Sequence, residues 1–112
     1  MPLIETIPEY FKPYVSKVSA VTAYSALEEK WEEMRKTFVS MSDEKSNYSY
    51  DEGKWTPKQI VQHLIDTERV LSQRALRFAR KDMTQLPGYD HNNYVEVADV
   101  SDRTIVDLWD EF

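Results

Sequence analysis

The chain contains no cysteine. That excludes a disulfide framework, a thiolate metal site and a cysteine nucleophile, and it leaves the redox compartment unmarked. Glycine is almost as scarce. Gly53 and Gly88 are the only two in 112 residues, too few for the many tight turns of an all-β fold. Positive charge is also short, with 14 Lys and Arg against 20 Asp and Glu, a net charge of −6. A protein that neutralises phosphates needs the opposite balance, so neither nucleic acid nor an anionic membrane surface is an expected partner. Long apolar runs are missing as well. The N-terminal MPLIETIPEYFKPYV lacks the continuous apolar core of a secretory signal, and nothing approaches a membrane span. A cytoplasmic location is the resulting expectation.

What remains is helical. Hydrophobic residues at 41% and aromatics at 12% suit a folded protein, and the length suits a single domain over 1–112. Residues 1 to about 20 carry Pro2, Pro8 and Pro13. They predict a short helical turn after Thr6-Ile7-Pro8 and then a bend, with Tyr10, Phe11, Tyr14 and Val15 packing this arm onto the body. A long helix follows from about Thr22 to Met41. Its seam is Leu27, Trp31, Met34, Phe38 and Met41, and its wet side is Glu28, Glu29, Glu32, Glu33 and Lys36. Ser25-Ala26-Leu27-Glu28 has capping-box spacing, so the start can also lie three residues later. The polar stretch SDEKSNYSYDEGK separates it from the next element.

That next element is WTPKQIVQHLIDTERVLSQRALRFAR, residues 55–80. Thr56 and Gln59 form a T-x-x-Q capping box around Pro57 at the first helical position. Trp55 and Ile60 are placed for a hydrophobic staple. Arg77, Arg80 and Lys81 lie where positive charge suits the helix dipole. A long connection, DMTQLPGYDHNNYVEVADV, turns at Pro87-Gly88. A last helix starts at Ser101 or Asp102, with Ile105, Leu108, Trp109 and Phe112 on its apolar face. It stops in mid-pattern, with no glycine, proline or basic turn to end it. The expectation is the front part of a longer bundle, with Trp109 and Phe112 left exposed and available for self-association as a homodimer.

Helical geometry, about 100° per residue, sets the faces of the 55–80 helix. With Ile60 at zero, Leu71, Leu64, Ala75 and Val61 span about 20° to 100°. His63 falls at about −60°, bordering this arc, with Thr67 and Arg74 along the same edge. Asp66 lies about 60° farther out, at the rim. Glu68 falls at about 80°, inside the apolar arc, where a carboxylate is costly unless paired. Two readings of Glu68 follow: a structural pair to an indole, a tyrosine or an arginine, or an acid with a role beside a site. His63 likewise reads either as a structural residue at the core's edge or as one ligand of a metal. A metal site needs three or four ligands, and no H-x-x-x-H or H-E-x-x-H is present. His91 lies in the loop LPGYDHNNY and reads as solvated. The acidic 42–52 and 90–102 stretches do not match a calcium loop.

Several runs together carry a resemblance. They are Y-x-x-x-K-W-T at 50–56, HLIDTERV at 63–70, RALRFARKD at 74–82 and LPGYD at 86–90. The combination resembles the DinB/YfiT-like family, which is distinct from the DNA polymerase that shares the DinB name. The likeness is clearest from Tyr48 to about Tyr94. It implies an all-α, up-down-down-up four-helix bundle, here truncated to about three helices. It also implies a divalent metal, zinc or nickel, held by three histidines. His63 matches the first of these; the other two would lie on a fourth helix that this chain does not reach. His91 does not sit at a family ligand position. Asp66 and Glu68 match the family's acidic pair, which could orient a ligand or brace the bundle.

The resemblance implies a metal-dependent transferase or hydrolase acting on a small-molecule substrate, with a low-molecular-weight thiol as a possible cofactor. The alternative is a helical binding or stress-response module that self-associates and catalyses nothing, with His63 structural.

Overall fold

The computed structural model describes residues 6–18 and 22–112. Every regular element among them is helical, in agreement with the all-α expectation. The chain divides into two compact units, residues 1–37 and 38–112.

In the first unit a 3-10 turn at Glu9–Phe11 leads into a single-turn helix, α1, Lys12–Val15. The Tyr10 ring lies against Phe11 and Tyr14, yet all three aromatics are exposed. The ring contacts are made within the arm. Pro2 lies outside the described residues. Most of α2, Ala23–Val39, also belongs here. Its start is fixed by reciprocal bonds, since Thr22 Oγ1 accepts the Ser25 N–H and Ser25 Oγ accepts the Thr22 N–H. The predicted seam is only partly covered: Leu27 and Trp31 are exposed, while Met34 is half-buried.

The second unit is organised around α4, Pro57–Ala79, a 23-residue helix about 35 Å long at 1.5 Å per residue. Its start follows the sequence reading. Thr56 Oγ1 accepts the Gln59 N–H, and Gln59 Oε1 accepts the Thr56 N–H. Its end is a Schellman turn. Lys81 N–H reaches the Phe78 carbonyl, and Asp82 N–H reaches that of Arg77. Lys81 stands at φ 54°, the left-handed conformation that glycine usually fills there.

Three short helices pack on this scaffold: α3, Asp43–Ser46; α5, His91–Val97; and α6, Ile105–Glu111. Val61 and Ile65 of α4, Val95 of α5, and Ile105, Leu108 and Trp109 of α6 form the core. Lys58 is buried with them, its ammonium 3.4 Å from Asp43 of α3. The helix α6 begins at Ile105, later than the predicted Ser101 or Asp102, because Thr104 and Asp107 make their own capping box. Glu111 at its far end receives Arg103 at 2.6 Å and Arg69 of α4, tying the two helices together. Trp109 is only 3% exposed and stacks on Phe38 at 5.6 Å between ring centroids. The exposed Trp109/Phe112 face expected from the sequence is thus covered, and Phe112 lies edge-on to the same indole.

Candidate functional site

The capping box at Thr56 places Trp55 just before α4 and His63 two turns into it. Both are half-buried. Their ring centroids are 5.0 Å apart at 46°. The cap therefore aims an indole at the histidine, and Ile60, the expected staple partner, is 37% exposed.

A second histidine joins them. His91 is the first residue of α5, not a loop residue as the sequence suggests. Asp90 caps that helix, its Oδ1 accepting the N–H groups of Asn92 and Asn93. The His91 ring lies 5.6 Å from His63 and 6.0 Å from Trp55. His91 itself is exposed.

The route by which His91 arrives is visible along α4. Arg74 Nη2 donates to the Pro87 carbonyl at 3.0 Å. The hydroxyls of Thr67 and Tyr89 are bonded at 3.2 Å. His63 then faces His91. On α4 the three rungs are one edge, residues 74, 67 and 63. On the connection they are alternate residues, 87, 89 and 91. Helical spacing alone marks the His63–Thr67–Arg74 edge but not what docks on it. The cue to α5 in the sequence is Asp90 followed by Asn92, Asn93 and apolar Val95, an N-cap signal for a helix. At seven residues that helix is too short to show a clear period.

The two acidic candidates are placed elsewhere. Asp66 is half-buried and accepts from Gln62 Nε2 at 3.0 Å. Glu68 is exposed and accepts from the Ser72 hydroxyl at 3.2 Å. The expectation of a carboxylate inside the apolar arc is corrected. The buried face of α4 runs through Lys58, Val61 and Ile65, and Glu68 lies in the half of the helix beyond it, where Leu71 is 51% and Phe78 69% exposed. Both carboxylates bond along their own helix, not to His63.

Beside Trp55 opens a cleft of about 320 Å³, lined by Tyr50, Gly53, Lys54, Trp55, Ile60 and Asn92. It shares Trp55 with the histidine pair, and Asn92 adjoins His91. Its size is at the lower end of small-molecule sites.

These features define an all-α protein with a histidine pair at the capped end of its longest described helix. The chain belongs to the DinB superfamily, whose family model matches residues 26–108. No curated protein and no solved structure matches it. The family implies a metal, so the donors present bear on whether one fits. Two imidazoles converge, which in chemistry suit a divalent transition metal. Among the described residues no group of three or more His, Asp or Glu side chains converges to hold an ion, so a site of three or four ligands needs donors beyond this pair. No described helix is long and apolar enough to cross a membrane.

Proposed function

We propose that this DinB-superfamily chain is a metal-dependent protein of the thiol-dependent transferase or hydrolase type, with His63 as a metal ligand and a small molecule as substrate. The observation that carries this reading is the placement of His63. Its imidazole is half-buried near the capped end of α4, beside a second imidazole and in ring contact with Trp55, which lines a small-molecule-sized cleft. A divalent ion there would supply a metal-held thiolate, or a bound water of lowered pKa, as the nucleophile. The chain's own residues do the rest. His63 offers a nitrogen donor from a rigid helix. Trp55 covers one side of it and keeps water from that flank. Tyr50 and Trp55 line the cleft with aromatic surface, and Lys54 offers a positive charge to an anionic group of the substrate. Asp66 and Glu68 brace α4 through Gln62 and Ser72 and have no step to perform.

Metal analysis after equilibrium dialysis against zinc or nickel tests this. The chain is expected to retain metal, and His63→Ala to lose most of it. Equal retention by the variant would refute the role of His63.

A second reading, a self-associating helical module, is supported by a different observation. Leu71 and Phe78, seven residues apart on one face of α4, are 51% and 69% exposed. A homodimer through that face would cover them. Light scattering on Leu71→Glu/Phe78→Glu against the unmodified chain decides it. An unmodified chain that runs as a monomer would end this reading.

A further inference from the structure

We infer that His91 is a second imidazole ligand for the divalent metal that His63 holds. This rests on the reading of His63 given above. Four features of the structure support it. The two ring centroids lie 5.6 Å apart although the residues are 28 positions apart in sequence. His91 is brought there by an ordered seam, through Arg74 to the Pro87 carbonyl and Thr67 to Tyr89. Asp90 caps α5 through its Oδ1, which fixes His91, the first residue of that helix, at this corner. His91 is exposed, so an ion can reach the pair from solvent. Two neutral imidazoles favour borderline ions such as zinc, nickel or copper over magnesium or calcium, which prefer oxygen.

The competing role is ring packing, with His91 simply resting on Trp55 and His63. Any aromatic side chain would fill that role, and this separates the two. The variants are His91→Ala, His91→Phe and His63→Ala in the full chain. Binding of zinc and of nickel is measured by calorimetric titration, and thermal unfolding is followed with and without the metal.

Loss of a ligand's hydrogen-bond partner alone costs about 10–100-fold in metal affinity. Removal of a direct ligand should therefore weaken binding at least about tenfold. His91→Ala and His91→Phe are both expected to show that loss, and the metal-induced rise in Tm should shrink with it. The metal-free Tm of His91→Phe should stay near that of the unmodified chain, because the ring contacts persist.

If His91→Phe binds as tightly as the unmodified chain, His91 packs and does not ligate. Loss of binding in His63→Ala with full binding in both His91 variants overturns this inference and spares the role of His63. Undiminished binding in His63→Ala, or no binding by the unmodified chain, overturns both.

Discussion

Phe38 and Trp109 stack with ring centroids 5.6 Å apart and 19° between their planes, although they stand 71 positions apart in the chain. This contact seats α6 in the core of the second unit. It also removes from the surface the residue that the sequence alone puts there.

Trp109→Ala is therefore expected to lose about 3–5 kcal/mol of stability, the usual loss for deleting a buried large aromatic. Urea unfolding of the full chain followed by circular dichroism measures it. Trp109→Phe keeps a ring against Phe38 and should cost clearly less. A loss below about 1 kcal/mol for the alanine variant, the level of most single changes, would mean that the stack contributes little.

Lys81 holds a left-handed conformation, φ 54°, at the end of α4. A side chain there carries a steric cost that glycine escapes. Lys81→Gly is expected to stabilise the chain by about 0.5–1 kcal/mol, although the added freedom of the unfolded glycine offsets part of the gain. A rise of a few degrees in Tm would show it, and a fall would contradict it.

Glu111 accepts hydrogen bonds from Arg103 and Arg69, and these hold its carboxyl below the ordinary value of 4.5. The sign follows from a folded pKa lower than the unfolded one. The contribution is fully present above about pH 4.5 and fades as the pH falls through the depressed folded value. Glu111→Gln should therefore flatten the acid limb of the stability profile below pH 4.5 while leaving its shape near neutrality unchanged. A carboxyl titration by NMR that places Glu111 at or above 4.5 would contradict the assignment.

Much of α4 is legible in the sequence, because capping chemistry is local. Thr56, Pro57 and Gln59 lie within four residues, and their bonds involve only one another. The same local logic fixes Thr22 as one end of α2. What local patterns miss is which face finds a partner. The arc through Ile60, Leu71 and Phe78 is the more apolar one in sequence, yet the covered face is the one through Lys58, Val61 and Ile65. A buried lysine stem can line a core when its ammonium reaches a carboxylate, and Asp43 supplies it. Glu68 lies on the side of Val61 and Ile65 but past the buried stretch of α4, which ends at Ile65, so its carboxylate stays in water.

For the candidate site, His63 is legible from its position on the helix and His91 is not. Their meeting depends on a docking seam between segments distant in sequence, which no local pattern encodes.

That seam also works as a ruler. Its rungs on the connection fall at every second residue: the Pro87 carbonyl, the Tyr89 hydroxyl and the His91 ring. The identity of Gly88 matters less to the meeting of the imidazoles than the number of residues between Pro87 and His91. One residue added between Tyr89 and Asp90 would carry the second imidazole out of step with the Thr67–Tyr89 rung and with His63. The histidine pair is thus encoded as a count of residues, and insertions in this connection would dismantle it while leaving every helix intact.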